Sequence, residues 1–153
     1  MGIYKYENYS DFRVYKNVKK ALRHPSEVQI LDLSDKKLKT LPEGLGGLQN
    51  LKMLDVSGNM IKELPEDFWQ LGQLEVLIWN RNALDSIPPR IGELKGLKRL
   101  YISRNDLKSL PPSLTNLEKL ERLDVSFNQL TDKDGEPIKQ SIPQCFVLID
   151  VVL

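Results

Sequence analysis

The stretch VLIWNRN (76–82) shares its frame with MLDVSGN (53–59), RLYISRN (99–105) and RLDVSFN (122–128). Each stretch starts 23 residues after the one before it. In every one the second and fourth residues are apolar and the seventh is asparagine. Self-similarity at a fixed period is the mark of a repeat architecture, in which neighbouring copies stack on one another. The frame therefore decides the fold, and the contents that differ between copies hold any information about function. The contrast to explain is Ile-Trp-Asn-Arg in one copy against Asp-Val-Ser-Gly in another.

Extending the frame gives five copies, starting at Val28, Leu51, Leu74, Leu97 and Leu120. Places 1, 4, 6 and 11 of each copy are apolar, for example Leu74, Leu77, Trp79 and Leu84. Alternation around places 4 and 6 predicts a half-buried strand, with places 3, 5 and 7 on its other face. Stacked copies set such strands about 4.8 Å apart in a parallel sheet. Place 9 is Asn59, Asn82, Asn105 and Asn128, whose side chains turn the chain out of the strand and satisfy backbone groups of neighbouring turns. Lys36 stands at this place in the first copy, so the asparagine column begins with the second. Pro42, Pro65, Pro88 and Pro111 follow place 14 and hold the return segment extended. The glycines of GLGGL (44–48) oppose long helices there and favour short helical or 3₁₀ turns on the convex side.

The pattern L-x-x-L-x-L-x-x-N-x-L resembles that of the leucine-rich repeat proteins, and the resemblance covers roughly residues 28–150. It implies an α/β fold: a curved, right-handed leucine-rich repeat solenoid with a parallel sheet on its concave face and an N-terminal helical cap. The LPxxLxxL half, as in LPEGLGGL and LPPSLTNL, is similar to the intracellular class of scaffold and Ras-pathway repeat proteins. The opening ALRHPSEVQILDLSDKKLKTLP looks like the start of many small bacterial members. Family members outside the cell usually carry cysteine-rich caps, which this sequence lacks.

A stack exposes apolar surface at both ends, so caps are expected. Residues 1–27 read as a tail and capping helix, 28–131 as the repeats, and 132–153 as a C-terminal cap with a final strand. SDFRVYKNVKKALRHP (10–25) predicts the first cap helix, with Ser10 as N-cap, Phe12, Tyr15, Val18 and Leu22 on one face, and Pro25 as the stop. TDKDGEPIKQSIP (131–143) reads as a loop and a short helix, its DKDGE (132–136) being a solvated turn. CFVLID (145–150) fits a last strand with Phe146 and Leu148 facing inward. The apolar ending VVL then leaves an exposed edge, covered by the tail itself, by a second chain, or by more of a longer chain.

Composition narrows the chemistry. The 22 basic and 21 acidic side chains leave a net charge of +1, which points to no nucleic acid. No apolar run reaches membrane-spanning length, and Tyr6 occupies the position where a myristoylation signal after Gly2 wants Ser or Thr. One cysteine, Cys145, permits no internal disulfide and fits a reducing, cytoplasmic setting. The only histidine, His24, reads as a helix C-terminal residue. One His and one Cys give no metal-ligand spacing, no catalytic triad and no cofactor site, so no enzyme is expected.

Function is then sought on the concave face, at places 3, 5, 7 and 8. Asp-Leu-Ser and Asp-Val-Ser are common filler there. Ile78 and Tyr101 replace the aspartate in the middle of the face, with Met53 and Val76 beside them. Arg81, Arg99, Arg104 and Arg122 surround them, and Asp124 and Phe127 complete the patch. Four of the seven arginines fall on these places and none of the fifteen lysines. Interfaces favour Arg and Tyr over Lys, since these make large contacts at a lower entropy cost. Asp32, Asp35 and Asp55 give the N-terminal end the opposite sign. Trp79, at place 6, is expected in the core, and Trp69 half-buried on the convex side. The expected function is binding of a protein partner of unknown identity on the concave face. The alternative is a homodimer formed through the C-terminal edge strand or the same face.

Overall fold

The computed structural model describes residues 9–150. The lipid-signal positions Gly2 and Tyr6, and the tail at 151–153, lie outside them. Seven short parallel strands form one sheet in chain order: β1 (Val14–Tyr15), β2 (Ile30–Asp32), β3 (Met53–Asp55), β4 (Val76–Ile78), β5 (Arg99–Tyr101), β6 (Arg122–Asp124) and β7 (Phe146–Leu148). The sheet is the lining of a curved solenoid. From β2 to β6 the register follows the period: Ile30, Met53, Val76, Arg99 and Arg122 lie side by side. The return segments hold 3₁₀ turns at Leu45–Gly47, Glu66–Gln70, Pro89–Glu93 and Pro112–Asn116. Each 3₁₀ turn follows the proline or glycine that ends the extended stretch, and its leucines or isoleucine close the core from behind. Gly46 is required for close stacking here, because a Cβ would lie 2.3 Å from the Asp67 carbonyl oxygen of the next copy. Asp67 also accepts hydrogen bonds from Gly44 N (2.7 Å) and Gly46 N (2.9 Å).

The asparagine column ties the copies together. Asn105 Oδ1 accepts from Leu84 N at 3.1 Å, and its Nδ2 donates to Trp79 O (3.0 Å) and Ile102 O (3.2 Å). The same amide therefore serves its own copy and the one before. Asn59, Asn82 and Asn128 repeat this geometry, reaching back to Leu33 O, Val56 O and Ile102 O. Asn59 Oδ1 accepts from Lys36 N and Leu38 N, so the first copy needs no asparagine of its own. Places 1, 4 and 6 of the repeats are buried in one continuous core with Phe68, Ile91 and Leu114 of the return segments. Trp79 lies in it, fully buried, as its place predicts.

The ends depart from the expectations. The cap helix α1 is only Val18–Arg23, capped by Asn17 Oδ1 on Lys20 N, not by Ser10. The residues before it are extended, and Val14–Tyr15 pairs with Ile30–Leu31 as the first strand. Phe12, Tyr15, Val18 and Leu22 are thus not one helical face. At the other end the DKDGE turn is helical: α2 spans Asp132–Ser141, entered through a capping box of Thr131 and Asp134. α2 replaces a 3₁₀ return and adds one residue, so Phe146 pairs with Arg122 at a spacing of 24. Phe146 and Leu148 therefore face outward, while Cys145 and Ile149 are buried and Val147 packs against the core. A one-residue slip exchanges the two faces of a strand.

Replacing Asn105 with Ala would strand the Leu84 N–H and the carbonyls it serves within a buried stack. We expect a loss of about 3 kcal/mol in urea unfolding. A loss under about 1 kcal/mol would mean these groups find other partners.

Candidate functional site

The concave face has two halves. On the N-terminal half, Ile30, Met53 and Val76 form a second apolar cluster, separate from the main core, and Tyr9 covers it. Phe12, Val14, Ile78 and Tyr101 pack against this cluster. Met53 is 1% exposed and Val76 3%, so neither offers the free apolar surface expected of it. Residues 9–15 run as a strap from β1 across the lower rim of β2 to β4. The Tyr9 hydroxyl donates to Glu75 Oε2 at 3.2 Å, and Lys52 Nζ lies 5.3 Å from the Phe12 ring centroid. Lys98 Nζ bonds the same Glu75 oxygen at 3.1 Å. Burial alone would raise the Glu75 pKa, but the hydrogen bonds and charge of Lys98, with the Tyr9 hydroxyl, hold it below the usual range.

The middle of the face answers the question posed by VLIWNRN. In copies with aspartate at place 5, that carboxylate accepts from the serine two residues on. Asp55 takes Ser57 N at 2.8 Å and Ser57 Oγ at 2.6 Å, and Asp124 takes Ser126 in the same way. Tyr101 cannot do this for Ser103. Asn80 of the preceding copy does it instead, its Oδ1 accepting from Ser103 N at 2.7 Å. The asparagine of copy three is therefore the structural complement of the tyrosine in copy four. Asp124, expected as a contact residue, is engaged in its own turn.

Arg81 has a local role too. Its Nη2 lies 3.3 Å from Asp35 Oδ1, bridging copies one and three across Gly58. A Cβ at Gly58 would sit 1.9 Å from that carboxylate oxygen, so the glycine clears the path. Place 8 is left-handed throughout: φ is 53° at Asp35, 66° at Gly58, 53° at Arg81, 57° at Arg104 and 54° at Phe127. For a residue with a side chain this conformation costs about 1–2 kcal/mol relative to the right-handed one. Arg104 and Phe127 therefore occupy positions that backbone energetics would give to glycine. Trp79 braces this region from beneath, and no acceptor among the described residues reaches its indole N–H.

The C-terminal half is open. Ile78, Arg99 and Tyr101 are half-buried, and Arg104 and Arg122 are exposed. The Arg104 guanidinium lies 4.5 Å from the centroid of the Phe127 ring, and Arg122 lies 5.2 Å from that of Phe146. Phe127 is 58% exposed and Phe146 56%, with Leu148 beside them on β7. Sequence reading placed Phe146 and Leu148 in the core, so it missed half of this apolar surface. On the convex side Trp69 is buried, not half-buried, meeting Phe68 edge-on at 5.2 Å with Arg90 above it. Arg90 is held between Glu93 and Glu66. Among the described residues no group of three or more His, Cys, Asp or Glu side chains is placed to hold a metal. Nor is any helix there long and apolar enough to cross a membrane.

The leucine-rich repeat family model matches residues 26–84 and 72–130. The chain belongs to the leucine-rich repeat family. Proteins of this family are in general protein–protein interaction modules. A leucine-rich repeat protein of Leptospira interrogans is 38% identical, with a TM-score of 0.80 over 91% of this chain. That match takes up 36% of the Leptospira chain, so this leucine-rich repeat chain spans about a third of its length. Internalin C2 of Listeria monocytogenes, 24% identical, matches 88% of this chain and 57% of its own with a TM-score of 0.73, a likeness of fold. The BIR2 ectodomain of Arabidopsis thaliana is 28% identical, with a TM-score of 0.56 over 63% of this chain and 53% of its own. Comparison with curated proteins finds no match.

The strap can be followed by titration. Burial, and then the negative charge of Glu75, push the Tyr9 hydroxyl up to about 12 from its ordinary 10.0. The neutral phenol is the form that docks. Strap docking is therefore fully stabilised below about pH 10 and weakens as pH rises towards 12. Absorbance of tyrosinate should show one tyrosine ionising late, and Tyr9→Phe should remove that step. A Tyr9→Phe curve that keeps the late step would mean the strap does not hold this hydroxyl.

Proposed function

We propose that this chain is a non-enzymatic binding module that takes a protein partner on the C-terminal half of its concave face. One observation carries the reading. Arg104 and Arg122 are exposed and stacked on exposed phenylalanine rings, and neither makes an ion pair among the described residues. Stacking of this kind holds each guanidinium in place while leaving its donors free for a carboxylate or carbonyl. Arg104 and Phe127 also keep large side chains at left-handed positions, where glycine would relieve the backbone. Tyr101, Arg99, Phe146 and Leu148 extend the surface on either side. The six repeat strands span about 25 Å, so the open half of the face suits a contact smaller than the standard of about 800 Å² per partner. The near-neutral charge favours a protein over a polyanion, and the lone thiol favours a reducing, cytoplasmic setting.

A second reading is self-association. It is favoured by the exposed Phe146 and Leu148 on β7, the outermost strand on that side among the described residues.

The test uses wild type, a Tyr101→Ala/Arg104→Glu double variant, and Phe127→Gly as baits in source-cell lysate. At φ 54° the glycine relieves strain but adds unfolded-state entropy. Phe127→Gly should therefore shift stability by less than about 1 kcal/mol. A protein captured by wild type should, once purified, bind at least tenfold more weakly to both variants. Equal capture and equal affinity for all three would remove this half of the face from consideration.

A further inference from the structure

Place 3 forms one continuous row across the sheet: Ile30, Met53, Val76, Arg99, Arg122 and Phe146. The row changes character part-way. Its first three members are apolar and lie beneath the strap, while the next three are two arginines and an exposed phenylalanine. The change falls where Tyr9 ends the described part of the strap. A hollow of about 380 Å³ opens at this boundary, lined by Tyr9 and Val76, the cations Lys98 and Arg99 and the carboxylates Glu75 and Glu121 among others. The strap itself shows how this face takes a ligand. Two aromatic residues three apart, Tyr9 and Phe12, lie across the strands, with the hydroxyl tied to Glu75 at the rim. The stretch ENYSDF (7–12) also contains two carboxylates and no basic residue.

We propose that the partner's binding segment is an extended acidic stretch bearing aromatic side chains, laid along the same row beyond Tyr9. This rests on the reading of the concave face as the binding site. Charge decides the class. Arg99, Arg104 and Arg122 form no salt bridge among the described residues, and Asp124 is engaged with Ser126. A segment with carboxylates gains forked hydrogen bonds to these arginines, and a basic one is repelled. Rings on that segment fit the hollow beside Tyr9 and the surface of Phe127, Phe146 and Leu148, since aromatic faces and edges pair well. Residues 9–12 are on this view an internal copy of the partner's chemistry.

The probe is a fluorescein-labelled peptide carrying ENYSDF twice in tandem, compared with a version in which each Glu and Asp is Lys. Fluorescence anisotropy is read against the full chain, an Arg99→Glu/Arg122→Glu variant and a Tyr9→Ala/Phe12→Ala variant, each checked for folding by circular dichroism. The acidic peptide should bind wild type at least tenfold more tightly than the lysine peptide. The arginine variant should lose at least tenfold. The strap variant should keep its binding of the acidic peptide, since Tyr9 and Phe12 pack on Ile30, Met53 and Val76 and not on the arginines. A gain in affinity would mean that the peptide takes the strap's own place, which overturns the assignment. Equal binding of the two peptides, or none of the acidic one, overturns the assignment. Dimerisation of the wild type that the strap variant abolishes also overturns it, in favour of a second copy as occupant. If the peptide fails while the Tyr101/Arg104 variant still loses its captured protein, only the partner class falls. If that variant also behaves as wild type, the concave reading falls with it.

Discussion

The side-chain amide of asparagine is the constraint on which the stack depends. Strands three residues long make few hydrogen bonds of their own, and each must hand the chain to an irregular return without leaving polar groups unpaired. One amide, with a donor group and an acceptor in fixed geometry, closes the turn of its own copy and the turn of the copy before. Because its reach is fixed, it sets the distance and register between copies. Leucines at places 1, 4 and 6 supply the favourable burial, but a leucine is tolerant of small displacements and the amide is not. The column begins at the second copy because each asparagine looks backward, so the first copy is completed by Asn59.

Once the amides fix the frame, the outward places are free to vary, though not independently. Tyr101 removes a carboxylate that its own turn would use, and Asn80 of the preceding copy supplies the acceptor. Gly58 removes a side chain, and Arg81 reaches across the gap to Asp35. The unusual composition of copy three is thus partly repair work for its neighbours. What remains unexplained by the fold is the arginine and phenylalanine surface towards β7, where exposed rings and guanidinium groups satisfy no turn and fill no core. That remainder is the part of the face for which a partner is the natural explanation.

Much of this was legible in the sequence because the period is strict. The parallel sheet, the asparagine column, short turns on the return side and the buried Trp79 follow from residue spacing and type. The two ends were not legible, for different reasons. Phe12, Tyr15, Val18 and Leu22 fit one helical face, and only the pairing of Val14–Tyr15 with β2 shows that the first of them lie in extended chain. Asn17, directly before the helix, was the better local signal for its start. At the C-terminus the period had already lapsed, so a helix of unknown length separated the last strand from its register. One added residue sent Phe146 and Leu148 to the solvent side. The covering of Met53 and Val76 by Tyr9 is a contact between residues far apart in sequence, and no local pattern announces it. Their apolar character was read as a surface awaiting a partner when it is a surface already occupied.

That occupation has a kinetic side. A segment joined to the face through a few residues of β1 is never diluted away, and short tethers give local concentrations on the order of millimolar. Anything approaching the first three copies competes with a ligand that is always present, whereas on the last two copies and β7 no described residue of the strap stands in the way. A molecule gripping both halves would bind in two stages, landing first on the arginines and advancing only as Tyr9 and Phe12 lift. Fast encounter and slow consolidation would then be properties of one small sheet, separated by the boundary at Tyr9.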